Sequence, residues 1–60
     1  MTRCKEYKNG WSAYFSPLPN GWYETYVRNA RGDIHDRVRC DTYRAAMEYY
    51  KCFWMTAKAA

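Results

Sequence analysis

Apolar and polar residues follow two different periods along this chain. From Arg3 to Cys40 they alternate in short runs separated by turn residues; from Asp41 onward they recur at helical spacing. Asn9-Gly10 sits between the runs 3–8 and 11–15. Asn-Gly between two such runs predicts a two-residue hairpin loop, because both central residues need positive φ. Lys5, Glu6 and Lys8 make the first of these strands a weak one. Ser16-Pro17-Leu18-Pro19-Asn20-Gly21 follows. Its two prolines lack backbone donors, so the segment is expected to be a loop. Residues 22–28 are rich in aromatic and β-branched side chains and predict a strand. Asn29-Ala30-Arg31-Gly32 matches a type I turn closed by a glycine bulge, the usual three-residue hairpin loop. Residues 34–40 form the next expected strand.

The period then changes. Asp41 or Thr42 can accept from the free N–H groups of a first helical turn. No Gly or Pro interrupts residues 42–59. Over this stretch Tyr43, Ala46, Met47, Tyr50, Phe53, Trp54 and Ala57 fall on one stripe of a 3.6-residue helix. Such a stripe must be buried against something, and the sheet is what this chain offers. The expected fold class is α+β: a small antiparallel β-meander of three to four strands packed against one C-terminal α-helix.

Turn geometry sets register, and register sets which side chains share a face. A two-residue loop at Asn9-Gly10 pairs Glu6 with Ala13 and Cys4 with Phe15. A three-residue loop at Ala30–Gly32 pairs Arg28 with Ile34, Tyr26 with Asp36 and Glu24 with Val38. The larger apolar residues, Trp11, Ala13, Phe15, Trp22, Tyr26, Ile34 and Val38, then share a face and are assigned to the helix side. Glu6, Glu24 and Asp36 land there too, a conflict that a bulge flipping one strand would remove. The opposite face is expected to carry Arg3, Lys5, Tyr7, Tyr14, Tyr23, Thr25, Val27, His35, Arg37 and Arg39, with no acid. A second basic line, Arg44, Lys51 and Lys58, recurs every seven residues on the helix. Glu48 weakens that line by pairing with its neighbours.

Length and charge narrow the function classes. The chain has 60 residues, a net charge of +4, 48% hydrophobic and 20% aromatic residues. One domain fits in that length, burying only about 60% of the surface its unfolded chain exposes. The hydrophobic fraction is too high for a disordered tail. No transmembrane span or secretory signal is visible, so the expected location is cytoplasmic, away from membranes. Cys4, Cys40 and Cys52 are an odd set, read as reduced thiols packed mostly as small hydrophobes. With His35 they offer zinc-ligand types without zinc-ligand spacing, so no metal and no cofactor is expected. One histidine, scattered acids and no phosphate loop make an enzyme unexpected.

Cations interleaved with tyrosines suit nucleic acid: cations neutralise phosphates, and aromatic rings stack on bases or pack on sugars. The expected nucleic-acid-binding residues are Arg3, Lys5, Tyr14, Tyr23, Arg37 and Arg39, with duplex DNA the expected partner. A solvated basic face is the plain alternative. The run Gly21-Trp22-Tyr23-Glu24-Thr25-Tyr26-Val27-Arg28, the Asn29–Gly32 turn, a basic strand and Asp41-Thr42-Tyr43-Arg44-Ala45-Ala46-Met47-Glu48-Tyr49-Tyr50 resemble a known pattern. It is similar to the three-stranded-sheet-plus-helix DNA-binding domains of plant AP2 factors and the arm-binding domains of phage integrases, over about residues 11–57. That resemblance implies a sheet entering the major groove, with Tyr14, Tyr23, Arg37 and Arg39 facing it. The rival expectation is a phage or mobile-element accessory protein that binds and inhibits a host nucleic-acid enzyme, of anti-restriction or anti-CRISPR type. Its interface, or a homodimer contact, would be the outer helix residues Tyr49, Cys52 and Met55, which the core stripe leaves unexplained.

Overall fold

The computed structural model describes residues 2–60. Four strands form one antiparallel sheet in sequence order: β1 (Arg3–Glu6), β2 (Ser12–Pro17), β3 (Tyr23–Arg28) and β4 (Ile34–Cys40). A single helix, α1 (Tyr43–Ala59), crosses one face. This is the expected α+β meander with its C-terminal helix.

The loops are more uniform than the sequence pattern suggests. Glycines stand at positions 10, 21 and 32, one every eleven residues. Each closes a three-residue hairpin loop. The Tyr7 N–H donates to the Trp11 carbonyl at 3.0 Å, and the Gly10 N–H to the Tyr7 carbonyl at 3.0 Å. Leu18–Trp22 and Asn29–Asp33 repeat the same pair of bonds. The last loop position has positive φ, +90° at Gly10. That is the geometry of a type I turn followed by a glycine bulge. Two expectations are corrected here. The first loop is Lys8-Asn9-Gly10, one residue longer than the two-residue Asn9-Gly10 loop. The proline segment is not a long loop either. Pro17 ends β2, and Pro19 lies inside the short loop between Leu18 and Trp22. There it occupies the turn position where its fixed φ fits.

The helix begins as its sequence predicts. Thr42 has extended dihedrals, and its hydroxyl accepts from the Ala45 N–H at 3.2 Å. This is the side-chain cap that helix N-termini favour. Ala46, Tyr50, Phe53 and Ala57 are buried, with Met47 and Trp54 packed beside them. Tyr43, expected in the same stripe, is 48% exposed and meets the core in T-shaped contacts with Phe15 and Tyr23. Phe15 is the centre of the core. It is 1% exposed and packs on Tyr23, Tyr43 and Tyr50 at centroid distances of 5.7, 5.6 and 5.9 Å. Burying that one ring is worth about 2–3 kcal/mol. Thr25 is also fully buried, and its hydroxyl donates to the Tyr14 carbonyl at 2.7 Å. That bond satisfies a polar group which would otherwise be costly to bury.

Only Cys40 of the three thiols is packed inside; Cys4 and Cys52 are exposed, against the expectation that most would be core residues. Among the described residues no helix is long and apolar enough to cross a membrane.

Candidate nucleic-acid interface

The sheet face away from the helix is defined by register. Ala13, Phe15, Thr25 and Val27 are buried toward α1. Side chains alternate along each strand. Ser12, Tyr14 and Ser16 of β2 and Glu24, Tyr26 and Arg28 of β3 therefore point the other way. Cross-strand pairing extends this into three rows: Glu6, Ser12, Arg28 and Ile34; Cys4, Tyr14, Tyr26 and Arg37; Ser16, Glu24 and Arg39.

Two expected pairings are displaced by one residue, for two separate reasons. In the first hairpin the extra loop residue pairs Lys5 with Ala13 and Arg3 with Phe15, which turns β1 over. In the last hairpin Arg28 does pair with Ile34, but Val27 pairs with Asp36. His35 is the additional residue of a bulge there. Beyond that bulge β3 is turned over relative to the expected assignment. Tyr26 and Ile34, expected toward the helix, lie on the open face instead. Tyr14, Arg37 and Arg39 share the open face as expected. Arg3, Lys5 and Tyr23 do not. Tyr23 is half-buried against Phe15 on the helix side. Lys5 holds its ammonium 5.1 Å from the Trp54 ring centroid. This cation–π contact fastens β1 to the helix. Arg3 pairs with Phe15 and lies at the same edge. Glu24 and Glu6 lie on the open face, so that face is not free of acid.

The residues missed were Tyr26, Arg28 and Glu24. A signal for them existed: Asn-Gly-Trp occurs at both 9–11 and 20–22, and the eleven-residue glycine spacing marks all three loops as alike. Applied to the second loop, the three-residue pattern pairs Tyr14 with Tyr26 and Ser16 with Glu24, which puts Glu24, Tyr26 and Arg28 on the face of Tyr14; applied to the first, it gives the observed β1 register. The His35 bulge had no comparable signal.

At the centre of the face the Tyr14 and Tyr26 rings stack on each other, 4.8 Å apart and 18° from parallel. The Arg28 guanidinium lies 5.6 Å from both centroids and so sits at the shared edge of the pair. Together these make a guanidinium–tyrosine ridge across the two middle strands. Beside it, Glu24 accepts from Arg39 Nε at 3.0 Å and approaches Arg37 Nε at 3.9 Å. On the other side of the molecule Tyr49, Cys52 and Met55 are exposed on α1, and Glu48, Tyr49 and Cys52 line a shallow hollow of about 230 Å³. Arg44, Lys51 and Lys58 are exposed as expected, and Glu48 forms no ion pair with them among the described residues. Among those residues no cluster of three metal-ligating side chains occurs.

No protein-family model, curated protein or solved structure matches this chain.

Proposed function

We propose that this protein binds duplex DNA, without catalysis, through the open face of its sheet. The observation that carries the reading is the ridge of Tyr14, Tyr26 and Arg28 flanked by Arg37 and Arg39. Arg28, Arg37 and Arg39 outnumber Glu6 and Glu24 on this face and leave it net positive, which favours a polyanion. The ridge spans one interstrand spacing, about 5 Å, and a major groove is about 12 Å wide. Duplex is favoured over single strand by the rings themselves. Tyr14 and Tyr26 are stacked on each other, with Arg28 at their shared edge. Each ring thus spends one face on the other and has only one left for an unstacked base. A meander followed by a helix is the order the resemblance to AP2-type and integrase arm-type domains leads one to expect, although the sheet here has four strands where those have three.

A second reading, a protein-binding surface on the outer helix face, is favoured by the hollow beside Tyr49 and Cys52. One experiment separates the two. Fluorescence anisotropy with a mixed-sequence duplex of about 20 base pairs at low salt should show binding by the wild type. Arg28→Ala combined with Arg37→Ala and Arg39→Ala should weaken it at least tenfold, and Arg28→Ala alone should lower the salt slope by about 1. Tyr49→Ala with Met55→Ala should leave binding unchanged. Absence of wild-type binding at low salt, or loss only in the Tyr49/Met55 variant, overturns the proposal.

A further inference from the structure

We infer that Glu24 is a positioning residue that aims Arg39, with Arg37 beside it, as a reader of guanine in the DNA groove. The inference rests on the proposed duplex-binding face and assigns its specificity. Glu24 is an acid retained among arginines, with a side chain only 16% exposed while those of Arg37 and Arg39 are 51% and 60% exposed. It accepts a hydrogen bond from Arg39 Nε at 3.0 Å and forms a looser ion pair with Arg37 Nε at 3.9 Å. A carboxylate on Nε fixes the plane of the guanidinium and directs its two terminal nitrogens away from itself. Those terminal forks have no acceptor among the described residues. A rigid fork of parallel N–H groups matches two acceptors lying side by side.

The two common acceptor pairs in a duplex are a phosphate and the O6/N7 edge of guanine. Charge decides between them. The Glu24 carboxylate stands 3.0 Å from the Arg39 Nε. A phosphate clamp works through net positive charge, and an anion at that distance cancels much of it. A base reader depends on orientation, which the same carboxylate supplies. Retaining Glu24 on this face therefore weakens phosphate affinity and strengthens base discrimination.

The test compares a duplex carrying G·C pairs with an all-A·T duplex, by anisotropy, with thermal melts confirming that each variant is folded. The wild type should prefer the G·C duplex by about 5- to 150-fold, the range of one bidentate base contact. Replacing guanine by 7-deazaguanine, which lacks the N7 acceptor, should remove that preference. Arg39→Lys keeps the charge and some capacity to donate to guanine but loses the planar fork, and should reduce the preference; Arg39→Ala should remove it. Glu24→Ala should lose the preference while binding the A·T duplex as well as or better than the wild type. Glu24→Gln, which keeps the shape and one acceptor oxygen, carries the test if the alanine variant does not fold, and should reduce the preference. If the Glu24 variants gain affinity for both duplexes equally and keep the guanine preference, Glu24 only damps charge and the inference fails. Wild-type binding to both duplexes without preference overturns this inference and leaves the duplex-binding reading standing; no binding to either overturns both.

Discussion

At the scale of single residues, Asn9 does two jobs. Its Oδ1 accepts from the Trp11 N–H at 2.9 Å. A side-chain bond of this kind shapes the first loop. Its Nδ2 donates to the carbonyls of Ala57 at 2.8 Å and Ala60 at 3.0 Å. Carbonyls at the end of a helix lack their i+4 donors; Ala57 receives only a long bond from the Ala60 N–H at 3.4 Å, and Asn9 supplies a shorter one. Asn20 makes the same turn bond, to the Trp22 N–H at 3.0 Å, and serves its loop alone. The two form an internal comparison. Asn9→Ala should cost about 1–2 kcal/mol, and Asn20→Ala about 0.5–1 kcal/mol, in urea denaturation. Asn9→Asp should be no milder than Asn9→Ala: it keeps the acceptor, loses the donor and sets a negative charge at the negative end of the helix dipole. Asn9 is legible in sequence as a turn residue. Its contact with residues 48 and 51 positions away is not, because nothing local encodes where the helix will end in space.

At the scale of elements, three like loops join the strands, yet they are not equivalent. A Cβ at Gly10 would meet the Ala30 side chain at 3.1 Å and its Cα at 3.3 Å, while one at Gly21 would meet nothing within 4 Å. Both glycines have positive φ. That conformation costs an alanine roughly 1–2 kcal/mol at either position. Gly10→Ala should therefore lower the melting temperature by more than Gly21→Ala, since the first and third loops must also part. Equal losses would mean that Ala30 yields freely. The outer strands β1 and β4 leave backbone groups unpaired at both sheet edges. One edge carries Arg3, Lys5 and Glu6, and the other Asp36, Arg37, Arg39 and a bulge. Charges and bulges at an edge discourage pairing with another chain. The elements themselves were readable because period and turn chemistry are local: strand existence, helix span and Thr42 cap all follow from neighbouring residues. Face assignment was not, since one residue of loop length or one bulge inverts a strand.

At the scale of the whole molecule, the core ties stability to alkaline pH. Burial pushes the Tyr50 hydroxyl above its ordinary value; neighbouring Cys4 and Tyr7 add to this and Arg3 opposes it. Burial, and then the Asp41 carboxylate, push the Cys40 thiol up as well. Both groups hold their protons more tightly folded than unfolded. Their contribution is thus fully present below the ordinary values, about 8.5 for cysteine and 10 for tyrosine, and is lost as pH rises through the higher folded ones. Thermal melts should show little change from these groups up to about pH 8 and a falling melting temperature above it. Tyr50→Phe should flatten the part of the fall above about pH 10. An unchanged alkaline slope in that variant would place the cause elsewhere.

Sequence alone determined the order of elements, most of the helix stripe, a cap at Asp41 or Thr42, and where each turn falls to within a few residues, because each depends on residues close to one another in the chain. The tertiary structure decided which side of each strand meets the helix. That choice hangs on a loop of three residues rather than two and on the His35 bulge. Each shifts pairing by one residue and so exchanges the faces. It moved Arg3, Lys5 and Tyr23 to the helix side and brought Tyr26, Arg28 and Glu24 to the open face beside Tyr14, Arg37 and Arg39.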